Sequence, residues 1–296
     1  MSNSTFHFFP ENRTAALALC QRLNIPAYPI EVHKFPDGES RIQIHPTKGT
    51  AIVYMSLDNP NEKLVHLAFA ANALRESGVQ RIILVSPYLC YMRQDRAFHP
   101  GEAISQQVIG SFLSTYFDRF ITVDPHLHRI SVLQSVFPEC LAESLSAAQP
   151  ISDALSYLSE DKNIVFVGPD EESAQWVGAI ANSLAKPFIV AKKQRRGDRN
   201  ISVALPEHVD FRNVHAIIID DVISSGATIC RCAEMLLLAG AKTVEAVAVH
   251  ILCKNEDLIA MKNSGVSRIL STDSIGHETN CIPLASLLAA ALKEEV

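Results

Sequence analysis

The stretch IIIDDVISSGAT, residues 217–228, holds the densest chemistry in the chain. An apolar run delivers two adjacent carboxylates, Asp220 and Asp221, and then Ser224, Ser225, Gly226, Ala227 and Thr228 turn tightly into a predicted helix. Backbone N–H groups and hydroxyls at such a turn converge on one spot. The helix dipole adds positive potential there, a combination suited to a phosphate monoester. Paired acids just ahead of the turn suit two vicinal sugar hydroxyls, so the stretch as a whole describes ribose 5-phosphate. An isolated S-S-G-x-T can equally cap a helix without binding anything, but the preceding I-I-I-D-D weighs against that.

Further candidates fall in short clusters. FPDGESRIQI (35–44) carries an aromatic and two acids around P-D-G, which is a turn signal in its own right. PYLCYMRQDRAFHPGEAIS (87–105) offers Arg93, Gln94 and Arg96, whose planar donors match phosphate and base edges better than Lys does. TVDPHLH (122–128) ends a strand-like run in Asp124 and His126, and VGPDEES (167–173) ends another in Asp170. The cations of KKQRRGDR (192–199) read either as a solvated charge run or as a lid that brings positive charge to developing oxyanions.

Positioning these groups requires strands that end where the acids stand. Apolar runs alternate with helical patterns throughout: 81–87, 119–125, 163–170, 187–193, 215–221 and 243–250 read as strands, with helices over about 104–116, 171–184 and up to Gly240. The strands are continuously apolar, as expected when helices cover both sheet faces. The class is therefore α/β with mainly parallel sheets, and ligands belong beyond the carboxyl ends, near Asp124, Asp170, Asp220 and Asp221. A polar, small-residue stretch before AQPISDALS sets a domain boundary near Ala147, giving domains 1–147 and 148–296.

Composition narrows the field. A net charge of −6 over 296 residues argues against nucleic acid as a partner. Apolar runs such as 284–292 fall short of a membrane span, and the first residues do not read as a signal peptide, so a cytoplasmic location is expected. The seven cysteines contain no C-x-x-C and read as reduced thiols.

Together the five clusters resemble the ribose-phosphate pyrophosphokinase family, and 217–228 resembles the phosphoribosyl-diphosphate loop that this family shares with phosphoribosyltransferases. The resemblance implies two phosphoribosyltransferase-like domains, each a mainly parallel sheet flanked by helices. It also implies an Mg2+-dependent transfer of diphosphate from ATP to ribose 5-phosphate. Carried across, Phe35, Asp37 and Glu39 serve the nucleotide of a neighbouring subunit, and Arg93, Gln94, Arg96 and His126 bind ATP. His126 and Asp170 hold metal, while Lys193 and Arg195 on a mobile loop are catalytic. A homo-oligomer built from dimers with shared ATP sites follows. Two departures stand out: Pro125 where many members have Leu, and Glu171-Glu172 after the metal Asp, expected to cap a helix. The run RAFHPGEAIS is similar to the archaeal-type members. A phosphoribosyltransferase would need only the 217–228 element, and a non-catalytic regulatory homologue would be expected to lose cations or acids that this chain keeps.

Overall fold

The computed structural model describes residues 4–127, 132–196, 200–206 and 209–296. Two compact units emerge: one spans the chain up to Ser146 together with Ser274–Gly276 and Leu284–Val296, the other Ala147–Asp273 with His277–Pro283. The chain thus does not divide at a single cut near Ala147, because its last residues return to the first unit.

The first unit holds β1 (Ser4–Phe8), β2 (Ala27–Pro29), β3 (Glu31–Lys34), β4 (Ser40–Gln43), β5 (Gly49–Tyr54), β6 (Val79–Val85), β7 (Arg119–Val123) and β8 (Leu141–Leu145). Its helices are α1 (Arg13–Leu23), α2 (Pro60–Ser77) and α3 (Ser105–Tyr116). Strands pair in the order β2-β1-β5-β6-β7-β8, all parallel, while β3 and β4 form a separate antiparallel hairpin. Helix α2 begins with Pro60, whose fixed φ and missing N–H suit a first turn, and stops at Gly78 in the left-handed region (φ +103°). Between them Leu64, Leu67, Ala71 and Leu74 recur at helical spacing and are buried against the sheet. Each such leucine withdrawn from water contributes about 1.5–3 kcal/mol.

The second unit holds α4 (Ala148–Ala154), β9 (Ile164–Gly168), α5 (Ala174–Ser183), β10 (Phe188–Val190), β11 (Lys192–Arg196) and β12 (Asn200–Ala204). It continues with β13 (His215–Ile223), α6 (Ala227–Leu238), β14 (Thr243–Ile251), α7 (Asn255–Asn263), β15 (Val266–Thr272) and β16 (Asn280–Ile282). A second parallel sheet runs β10-β9-β13-β14-β15-β16, and β11 with β12 forms an antiparallel ribbon. The continuous burial of Ala216 to Ile219 follows from cover on both faces of this central strand.

The closing helix α8 (Ala285–Ala291) packs on α1. Behind it Glu295 accepts from Arg81 at 2.8 Å and from Arg119 at 3.0 Å, and the first of these pairs is the main cause holding its carboxyl below the usual range.

Candidate active site

In the second unit the acids do not end their strand. Pairing with β14 continues past Asp220↔Ala248 to Ile223↔Ile251, because β14 is as long as β13, so both carboxylates lie within β13. Asp220 Oδ1 accepts the Asp221 N–H at 3.1 Å, and Asp221 Oδ1 accepts the Val222 N–H at 2.8 Å. Asp170 stands just beyond β9, the strand paired with β13, which brings the third acid alongside. The effect is electrostatic: burial, then the neighbouring Asp221 and Asp170 carboxylates, push the Asp220 proton affinity well above the ordinary carboxylate range. Beneath them the buried Cys232 thiol is pushed up to about 12 by burial first and Asp220 second, which leaves it inert at neutral pH.

Asp170 is also the cap of its own turn, its Oδ1 accepting from the N–H of Glu172 at 3.1 Å and of Ser173 at 3.3 Å. The capping expected of Glu171 and Glu172 is therefore done by Asp170, and the two glutamates stand exposed in the first turn, where negative charge is favoured.

After β13 the exposed Ser224 and Ser225 lead into Gly226, with Ala227 and Thr228 opening α6. Gly226 is required twice over: its φ of +70° is left-handed, and a Cβ there would stand 2.7 Å from Met261 Sδ. Met261, buried on α7, has no motif around it in the sequence; only the fold makes it the floor of this turn.

The resemblance puts Lys193 and Arg195 on a mobile loop, with Lys193 also closing the strand-like run 187–193. The backbone instead carries them on β11, opposite Val203 and Ile201, two positions apart and hence on one face of the ribbon. Their side chains, and residues 197–199, lie outside the described residues.

In the first unit the 35–39 segment is the turn of the β3–β4 hairpin. Phe35 N–H donates to Glu39 O at 2.8 Å, Gly38 N–H donates to Phe35 O at 3.0 Å, and Asp37 Oδ1 accepts the Glu39 N–H at 3.1 Å. Phe35, 41% exposed, meets His33 edge-on at 4.8 Å, and Asp37 and Glu39 are exposed.

Arg93 and Arg96 project from the loop before α3, Arg96 lying 4.9 Å above the Phe98 ring. Gln94 is half-buried; its Oε1 accepts from Ser105 Oγ at 2.5 Å, a contact that ties the loop to the start of α3. His126 is half-buried beyond β7, after Asp124, whose φ of +35° is strained for a non-glycine residue. His128 lies outside the described residues. Among the described residues no group of three His, Cys, Asp or Glu closes a metal cage.

A family profile described as the N-terminal domain of ribose phosphate pyrophosphokinase matches residues 8–116, and a phosphoribosyl transferase domain profile matches 141–287. The ribose-phosphate pyrophosphokinase of Methanopyrus kandleri is 30% identical over 277 residues, which cover 93% of this chain and 94% of that one. Its counterpart from Methanothermobacter thermautotrophicus is 28% identical over 282 residues, 94% of this chain and 96% of that one. The crystal structure of phosphoribosylpyrophosphate synthetase from Mycobacterium smegmatis shares the fold, with a TM-score of 0.85 over 98% of both chains at 23% identity.

Proposed function

The chain belongs to the ribose-phosphate pyrophosphokinase family, and from that premise we propose that it transfers the β,γ-diphosphate of ATP to the anomeric hydroxyl of ribose 5-phosphate, releasing AMP. One observation carries the reading: a single chain unites the 217–228 sugar-phosphate element with the 35–39 and 93–96 segments, which a phosphoribosyltransferase does not need.

Ribose 5-phosphate sits with its hydroxyls on Asp220 and Asp221 and its phosphate in the turn of Ser224, Ser225, Gly226, Ala227 and Thr228. ATP takes Arg93, Gln94, Arg96 and His126, and a second copy of the chain lends its Phe35–Glu39 turn, so the working form is a homo-oligomer built from dimers. The donor set fits Mg2+: burial and then the neighbouring Asp221 and Asp170 carboxylates raise the proton affinity of Asp220, and Mg2+ takes one or two such hard carboxylates plus substrate phosphates. Asp170 in the second unit and His126 in the first are the residues assigned to Mg2+, and bound Mg2+ would supply charge neutralisation for the phosphates. The anomeric oxygen attacks the β-phosphorus in line while the bond to the α,β-bridging oxygen breaks. Lys193 and Arg195 offset the charge that spreads over the transferred oxygens, and no covalent intermediate is needed. No helix among the described residues is long and apolar enough to cross a membrane.

The test is AMP release from ATP with and without ribose 5-phosphate. AMP should appear in step with phosphoribosyl diphosphate only when both substrates are present. Release of ADP, or AMP release indifferent to the sugar, would sink the reading.

A further inference from the structure

The β3–β4 hairpin has a firm base and an unsupported tip. At the base Val32 and Ile42 pack against the first unit's core. Nearer the turn a cavity of about 590 Å³ opens between hairpin and α2, lined by Gly38 and Glu39 on one side and by Glu62, Val65 and Phe69 on the other. Where apolar packing stops, two polar contacts remain. Lys34 reaches Glu62 at 2.6 Å, but with side chains 60% and 49% exposed such a pair contributes little. The other joins Ser40 Oγ to His66 Nε2 at 3.0 Å, with His66 only 5% exposed. Phe9 stacks on the imidazole at 6.3 Å and 14°, which holds the plane of the ring. Ser40 pairs with Lys34 across the hairpin, one residue past the Phe35-to-Glu39 hydrogen bond, and any shift of Ser40 moves the turn.

We propose that His66 is a positioning residue for nucleotide capture: through Ser40 it locks the hairpin against α2 and so sets where the Phe35–Glu39 turn stands. The inference rests on reading that turn as an ATP element. The lock is pH-dependent. Burial, the largest cause, holds the docked imidazole below its ordinary value of 6.5; Glu62 on its own helix and Glu11 pull the other way, and Lys34 on the hairpin adds to the lowering. A ring freed by undocking regains the ordinary value. The docked state therefore prefers the neutral ring; its full strength holds above the ordinary value and is lost as pH falls through the lowered one.

Amide hydrogen exchange and steady-state kinetics on the intact protein test this together. Ser40→Ala and His66→Phe should each speed exchange at 32–43, and raise the apparent KM for ATP, by about 3- to 10-fold, the value of one buried hydrogen bond. The turnover number, the KM for ribose 5-phosphate and protection of β5 and β6 should stay near wild type. His66→Gln, which keeps a donor and an acceptor, should restore protection at pH 7.5 and lose the acid-side loosening. Unchanged hairpin exchange in both Ser40→Ala and His66→Phe overturns the lock. A loosened hairpin with unchanged ATP KM, in an enzyme where Phe35→Ala raises that KM, overturns the positioning role. If Phe35→Ala leaves ATP KM unmoved, the nucleotide role of the turn falls and this inference with it, and the exchange data then separate a missing lock from a missing ATP site.

Discussion

In the second unit the candidate ligands come from one strand, one turn and one helix start within residues 217–228, joined by Asp170 from the strand paired alongside. In the first unit they come from a hairpin turn at 35–39, a loop at 93–96 and the segment beyond β7 at 126, separated by whole helices. Backbone geometry fixes the former: Gly226 must be left-handed, Asp170 is held by two N–H groups, and burial crowds Asp220. The latter depends on side chains of which Phe35, Arg93 and Arg96 are exposed, set by contacts such as Arg96 over Phe98 and Ser40 on His66. A rigid pocket for a small sugar phosphate and an adjustable surface for a nucleotide are the expected division of labour.

The β11–β12 ribbon offers the hardest test of that contrast, since it belongs to the second unit yet forms a sheet of its own, apart from the strands that carry the acids. Replacing Lys193 or Arg195 by Ala should lower the turnover number on the order of 100- to 1,000-fold, the usual loss when one preorganised transition-state donor is removed. Substrate affinities should change much less. Steady-state kinetics, with ATP and ribose 5-phosphate affinities measured separately by calorimetry, checks it. Wild-type turnover with weakened ATP affinity would make the ribbon a binding patch and group it with the first unit's surface.

Next in size is the effect of one methyl group. Gly226→Ala forces a left-handed alanine and crowds Met261, which should destabilise the protein by roughly 2–4 kcal/mol and raise the KM for ribose 5-phosphate. Phe35→Ala removes far more surface, yet from an exposed turn whose ring touches His33, and should leave the melting temperature nearly unchanged while weakening ATP. Equal loss of stability from both would erase the distinction between a preorganised and an adjustable half.

The same contrast governs what could be read in advance. Continuous apolar strands, the helix patterns between them and the strand-turn-helix at 217–228 are local signals, and they mark β6 and β7 of the first sheet and β9, β10, β13 and β14 of the second. Phe35, Arg93 and His126 carry no local signal that exceeds a turn, a salt-bridged loop or a structural histidine; only the resemblance singled them out. Missing from the sequence are long-range facts: Met261 under Gly226, His66 behind Ser40, and the return of Leu284–Val296 to the first unit. The strand placement of Lys193 and Arg195 escaped for another reason, since five polar residues in a row have no apolar period and β11 exists through pairing with β12.

The smallest effect tests whether the second unit's acids are strained for function. In the unfolded chain Asp220 ionises at its ordinary value of 3.8; in the fold, burial and the neighbouring carboxylates raise that value. A group whose folded value is raised favours folding at pH below the ordinary value, and that contribution is lost as pH rises through the folded one. At neutral pH the crowded carboxyl groups therefore oppose folding. Asn at this position can still accept the Asp221 N–H that Asp220 Oδ1 accepts at 3.1 Å, so Asp220→Asn removes the charge and keeps that hydrogen bond. Without divalent cation the variant should melt higher, on the order of 2–5 °C for a unit of this size, and the gap should close as pH falls toward 4. Added Mg2+ should raise the melting temperature of the wild type more than that of the variant, because only the full carboxylate set gains from neutralisation. A variant that melts lower at every pH would mean that the Asp220 charge is satisfied within the fold, and the case for a cation-ready cluster would rest on Asp170 alone.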